Sequence, residues 1–245
     1  MLKDAVGWTL HDAIELISPL GMSQEARPKT FRHAIFGESA KMLQVTSDGW
    51  ILAGGRLNLK YSRIQSIVAD VATLMVYPTA SPELLPIFAS EWVVVGERAH
   101  VLVLDVEFAG QQPHLKAQLT PVFQPLAERF GPRFEAIAER PGWFQEIAEP
   151  WAIFASGFVS VLVDVREAFN TYLQATIQSA YLPNLSQAKA GEDHPDVIHY
   201  KHHHYIHSPG IPMIQPKAGE AWTHEFMRDW HFGPPRFPDL PEIFA

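Results

Sequence analysis

The sequence predicts an α/β fold in which a central antiparallel sheet comes first and helices follow, packed on both of its faces. Three observations lead there. Over residues 41–108 apolar residues alternate, or run in short blocks bounded by turn residues, which is the pattern of strands. The links between those blocks are short, which suits antiparallel neighbours and leaves no room for the crossover helices of a doubly wound parallel sheet. From Gly110 onward the apolar spacing becomes helical.

Ahead of the sheet, Leu10, Ala13, Ile14 and Ile17 mark one face of a short amphipathic helix over residues 9–20, with Thr9 as its N-cap. Met42-Leu43-Gln44-Val45-Thr46 reads as a strand, Ser47-Asp48-Gly49 as a turn, and Trp50-Ile51-Leu52 as the next strand. Leu57, Leu59 and Tyr61 then alternate with Asn58, Lys60 and Ser62, and a nearly continuous apolar run from Val71 to Tyr77 stops at Pro78. The clearest hairpin joins Trp92-Val93-Val94-Val95 through Gly96-Glu97-Arg98 to residues 100–108. In its second arm Val101, Val103 and Asp105 share one face, and Leu102, Leu104 and Val106 the other. Leu115, Leu119, Val122, Phe123 and Leu126 fit a helical face, with Pro121 and Pro125 as expected kinks or breaks. A further short helix is expected within residues 134–147. Val161, Val165, Phe169, Tyr172, Leu173 and Ile177 predict a long helix over 158–181. Residues 186–207, broken or restarted at Pro195, and 218–230 complete the series. No internal repeat or linker divides the chain, so residues 1–245 read as a single domain.

Composition narrows the function. The 245 residues include 27 acidic and 19 basic ones, a net charge of −8, which argues against a nucleic-acid binder. Hydrophobic residues at 47% and charged residues at 19% exclude wholesale disorder. Cysteine is absent, which excludes a disulfide framework, a Cys-ligated zinc or iron–sulfur site and a thiol nucleophile. No apolar run is long enough for a membrane span. Met1-Leu2-Lys3-Asp4, followed by Asp12 and Glu15, does not read as a signal peptide. A soluble cytoplasmic protein is expected, and a monomer.

Five of the twelve histidines fall in His199-Tyr200-Lys201-His202-His203-His204-Tyr205-Ile206-His207. On a helix His199, His203 and His207 stack one turn apart. Two histidines at this spacing can bind a divalent metal, although no Glu sits between them as in a zinc-protease helix. A polar pocket wall or a solvated helix is the alternative. Several histidines on one face can also deliver protons near neutral pH. Ser208-Pro209-Gly210 ends this helix, which puts His207 beside a loop. There is no glycine-rich phosphate loop, and Ser156-Gly157 lacks the flanks of a nucleophile elbow. Glu91 opens the apolar strand Trp92 to Val95, either as an exposed edge group or as a pocket acid. Asp105 interrupts an apolar strand and reads either as a satisfied strand residue or as a second pocket carboxylate.

Three stretches then resemble the ferredoxin-dependent bilin reductase family. The first is Arg56-Leu57-Asn58-Leu59-Lys60-Tyr61 leading into Val71-Ala72-Thr73-Leu74-Met75-Val76-Tyr77-Pro78. The second is Leu85-Pro86-Ile87-Phe88-Ala89-Ser90-Glu91 followed by Val101-Leu102-Val103-Leu104-Asp105. The third is Pro209, Gly219-Glu220-Ala221-Trp222, Phe226-Met227 and Trp230-His231-Phe232. They stand in the family's order and cover roughly a third of the chain. The resemblance implies an α/β/α sandwich that binds biliverdin or a related open-chain tetrapyrrole between the sheet and the C-terminal helices. It also implies an oxidoreductase acting on CH–CH groups, with no bound cofactor, no metal and no flavin. Single electrons come from reduced ferredoxin, and the protein adds protons to bilin radicals. An added electron raises the basicity of a conjugated tetrapyrrole, so positioned acids decide where it is protonated.

By the same resemblance Glu91 stands where the family has its sheet-side aspartate, one methylene longer. The distal aspartate before the proline aligns with Ser208, so His207, or its neighbour His203, is the expected replacement donor. A sheet histidine of some members aligns with Thr73. Thr73, His203, Ser208 and Asp105 are therefore the expected substrate-binding residues, with Glu91 and His207 catalytic. Ferredoxins are acidic, so docking calls for a basic patch, from Arg56, Lys60 and Arg63 or from Arg129, Arg133 and Arg140. Two rival readings stand beside this one: a bilin carrier without turnover, supported by the missing distal carboxylate, and a metal-binding protein using His199, His203 and His207.

Overall fold

The computed structural model describes residues 4–26 and 28–233. Met1-Leu2-Lys3, which opened the reading of the N-terminus, lie outside the described residues. Helix α1 (Trp8–Ile17) leads to strand β1 (Met22–Gln24), the single turn α2 (Lys29–Arg32) and β2 (His33–Phe36). The long strands β3 (Leu43–Leu52), β4 (Leu57–Gln65), β5 (Ala69–Pro78), β6 (Ile87–Val95) and β7 (Arg98–Glu107) follow. Then come α3 (Pro113–Phe130), β8 (Glu135–Ala136), α4 (Gly142–Gln145), β9 (Ile153–Phe158) and α5 (Leu162–Thr176). The chain closes with α6 (Leu182–Asn184), α7 (Pro195–His207), α8 (Gly210–Ala218), α9 (Glu220–His224) and a π-helical stretch, Glu225–His231.

Nine strands make one antiparallel sheet in the order β1-β3-β4-β5-β6-β7-β9-β8, with β2 also paired to β3. Strand β3 gives one side to β4 and shares the other between β1, at Trp50 to Leu52, and β2, at Leu43 to Thr46. Sequence-adjacent strands from β3 to β7 are spatial neighbours, as their short links require.

The period-two pattern sorts the side chains into two cores. Leu59, Leu74, Phe88, Trp92, Leu102 and Leu104 pack on α3 and α5. There Phe169 lies 5.5 Å from the Trp8 ring, 5.6 Å from Phe88 and 6.1 Å from Trp92. Ile64, Val71, Met75, Tyr77, Ile87 and Ala89 point the other way, onto Val197 and Tyr200 of α7, Ile214 of α8, and Phe226 and Trp230. Helices on both faces of an antiparallel sheet are thus what the sequence pattern dictates.

Several local expectations are corrected. Ser47-Asp48-Gly49 is not a turn: β3 runs through it, and the reversal falls at Ala53, Gly54 and Gly55, all with positive φ. Long-range partners override the local turn preference, since Ser47 Oγ donates to the Phe31 carbonyl at 2.5 Å and all three residues pair with β4. Pro121 and Pro125 do not break α3. They are exposed on its outer side, where water can take up the carbonyls they leave unbonded. Thr9 is not the cap of α1. It sits inside the first turn, donating to the Val6 carbonyl at 2.8 Å, with Gly7 in the cap position. Residues 153–158 form β9, so the long helix starts at Leu162, and Gly219, with φ of 83°, separates α8 from α9.

Candidate active site

The second face of the sheet, beneath α7 and the C-terminal π-helix, carries a layer of polar side chains inside an otherwise apolar core. Across the middle of the sheet Ser62, Thr73, Glu91 and Val103 are direct cross-strand partners, so their side chains share this face. Thr73 and Glu91 are both partly buried. Among the described residues the Glu91 carboxyl has no hydrogen-bond partner. Burial pushes its pKa above the ordinary carboxylate value, and His204 opposes that shift. A carboxyl in this setting can hold a proton and release it to a base that appears beside it.

Helix α7 presents Val197, Tyr200 and Lys201 as its buried face, and His204, one turn beyond Tyr200, continues that stripe. His204 Nε2 lies 3.7 Å from Oε2 of Glu107, whose side chain is 1% exposed. The Tyr200 hydroxyl donates to the same Oε2. Glu107 Oε1 and His204 Nε2 are buried without a hydrogen-bond partner. The His204 ring is boxed by Tyr200 at 4.5 Å, Trp143 at 5.7 Å and Phe232 at 6.0 Å.

Two buried ion pairs flank this group. Lys60 Nζ contacts both oxygens of Glu25, at 2.9 and 2.8 Å, and stands 3.9 Å over the Trp230 ring. Burial pushes Lys60 down to about 8 and Glu25 up, each resisted by the charge of the other. Gly49 makes room for this contact, since a Cβ there would meet Glu25 at 2.6 Å and Trp230 at 3.0 Å. Lys201 contacts Asp193 at 2.6 Å and lies 4.6 Å over the Tyr77 ring. His231, between Phe226 and Phe232, is held down to about 3 by burial, with Lys60 and His204 adding to the effect.

The expected site residues divide. Thr73 and Glu91 are brought together. Asp105 lies on the same face but is spent on the backbone: Oδ1 accepts from Val106 N at 2.7 Å and Oδ2 from Glu149 N at 3.0 Å. Burial and the neighbouring Glu107 push its pKa well up. His207 is not beside Glu91's face. It is exposed, stacked 5.8 Å from Trp143, with Nδ1 2.9 Å from the His203 carbonyl oxygen. His203 Nε2 is engaged by the Trp143 carbonyl at 3.0 Å, and Ser208 Oγ accepts from Gly210 N at 3.2 Å at the start of α8. His199 is exposed. Among the described residues no group of three or more His, Cys, Asp or Glu is placed to hold a metal ion.

Most members of the two basic groups expected for docking are engaged within the protein. Arg56 donates to the carbonyls of Ala188 and Ala53, and Arg63 binds Asp70 and Asp4. Arg129 and Arg133 pair with Glu167, and Arg133 also with Asp164, while Arg140 is exposed. Among the described residues no helix is long and apolar enough to cross a membrane.

Sequence reasoning missed Glu107, Tyr200 and His204. A signal for them existed: with α7 starting at Pro195, the i, i+3, i+4, i+7 stripe from Val197 passes through Tyr200, Lys201 and His204, and leaves His199, His203 and His207 off it.

No curated protein matches this chain. The structure does match the crystal structure of tomato phytochromobilin synthase in complex with biliverdin, with a TM-score of 0.69 and 13% identity, over 95% of this chain and 83% of that one. At that identity the likeness is one of fold. A family model for ferredoxin-dependent bilin reductase matches residues 22–233, which takes in the sheet, the polar layer on its second face and the helices that cover it. By that match the chain belongs to the ferredoxin-dependent bilin reductases.

Proposed function

We propose that this oxidoreductase reduces biliverdin, or a closely related open-chain tetrapyrrole, by alternating single electrons from reduced ferredoxin with protons from its own side chains, and that Glu91 is the sheet-side proton donor. The observation that carries this is the state of Glu91. Among the described residues no group hydrogen-bonds its carboxyl, while Asp105, on the neighbouring strand opposite Ala89, has both oxygens on backbone amides. Burial favours its protonated form. The conjugated system of the bilin becomes more basic once it takes an electron, and a nearby carboxylic acid then transfers its proton to the radical anion, leaving a carboxylate. Thr73, directly across from Glu91, is proposed to hydrogen-bond the bilin at the same point. The tomato enzyme's complex with biliverdin supports the substrate class.

The test is an anaerobic absorbance time course with biliverdin, reduced ferredoxin and purified protein. A moving long-wavelength band and a product of different elution are expected. Glu91→Gln should bind biliverdin and slow or divert its reduction. Full activity and an unchanged product in that variant would remove Glu91 from the role, and a shifted but static spectrum with the wild type would favour a carrier.

A further inference from the structure

A bilin reduced by electrons and protons in turn needs more than one proton, and where the resemblance places a distal aspartate this chain has Ser208, a hydroxyl far less acidic than a carboxyl, whose oxygen accepts from Gly210 N. The polar layer holds a second acid–base constellation that neither the family match nor the fold match assigns. We propose that His204 is the second proton donor of the pocket and that Glu107, braced by Tyr200, is the residue that positions it. The proposal rests on the bilin-reductase reading above.

Glu107 ends β7 on the face below α7 and is fully buried. An isolated carboxylate there is costly unless paired and hydrogen-bonded. It has the Tyr200 hydroxyl on Oε2, and His204 Nε2 3.7 Å from the same oxygen. That distance is too long for a hydrogen bond and short enough for an ion pair, so the Nε2–H is not committed to Glu107. Nε2 and Glu107 Oε1 are both buried and unpartnered, which native structures rarely leave without a use. The groups facing His204 are Glu107 from β7, Glu91 from β6, Tyr200 and His203 from α7, and His231 from the π-helix. The imidazole therefore lies beside the Glu107 carboxyl and interacts electrostatically with Glu91, and the ring walls of Trp143 and Phe232 keep it in place.

Ferredoxin supplies one electron to the bilin, and the radical anion takes the proton from imidazolium Nε2. The N–H bond breaks, a C–H or O–H bond forms on the bilin, and the imidazole is left neutral. Glu107 remains a carboxylate throughout and holds the ring in the donating orientation.

Single-turnover reduction of biliverdin by reduced ferredoxin, followed by absorbance and by electron paramagnetic resonance, tests this. His204→Gln should bind biliverdin with unchanged affinity, accumulate bilin radical and slow its decay ~10²-fold or more, the usual weight of a positioned general acid. His204→Ala should recover rate with added imidazole. Glu107→Gln should slow the same step, Glu107→Asp should restore most of it, and Glu107→Gln/His204→Gln should be no slower than His204→Gln alone, because residues acting as a unit are not additive. A Glu107 that merely supports the fold would give additive losses and no radical. Wild-type kinetics and product in His204→Gln would overturn the donor assignment while leaving the reductase reading intact. A wild-type protein that binds biliverdin without reducing it would overturn both.

Discussion

The sharpest stability prediction concerns His231. Its ring is buried between Phe226 and Phe232, and burial holds its pKa at about 3, against an ordinary 6.5. Between those values the unfolded chain binds a proton at this residue and the folded chain does not. Stability from His231 is therefore complete above pH 6.5 and is lost as pH falls towards 3. At about pH 4.5 the folded ring is still neutral, so the loss spans about two pH units at ~1.4 kcal/mol each, ~2.7 kcal/mol in all. Because the folded value lies below that pH, the figure depends only on the unfolded chain. His231→Phe keeps an aromatic ring in place and removes the titration. Urea unfolding of both proteins at about pH 7.5 and pH 4.5, read by tryptophan fluorescence, isolates the contribution of His231. Buried acids such as Glu25 and Asp105, whose raised values act with the opposite sign, are common to both proteins and cancel in the difference. The wild type should lose ~2.7 kcal/mol more than the variant between the two pH values. Equal losses, to within ~0.5 kcal/mol, would refute a neutral buried His231.

Two further outcomes are expected. Lys60→Met strands Glu25 inside the protein and should cost ~3–5 kcal/mol in thermal unfolding, while Lys60→Met/Glu25→Leu should recover most of it, because a buried pair replaced whole by apolar groups leaves no bare charge. Asp105→Asn can accept from only one of the two amides that Asp105 now serves. It should cost ~1–3 kcal/mol of stability with no change in biliverdin affinity by absorbance titration, separating Asp105 from the ligand site.

Much of this protein was settled by local pattern alone. Alternation along β7 follows from the pleat, so the face shared by Val101, Val103 and Asp105 could be assigned before any contact was known. The change to helical spacing after Gly110, and the stop at Ser208-Pro209, are equally local. Tertiary structure decided what depends on distant partners. Ser47-Asp48-Gly49 is strand because β4 and Phe31 claim it, and Gly49 is needed there for the approach of Glu25 and Trp230 rather than for a turn. Lys60 looked like a docking cation and is an interior charge, because its partner Glu25 lies 35 residues away. Glu107 and Tyr200 are 93 residues apart, and nothing in either neighbourhood announces the other. The histidine tract shows the division most clearly. Its spacing established that one face of a helix would carry imidazoles. Which face meets the sheet is a question of rotation about the helix axis, and the packing of Val197, Tyr200 and Lys201 answered it in favour of His204 over His207.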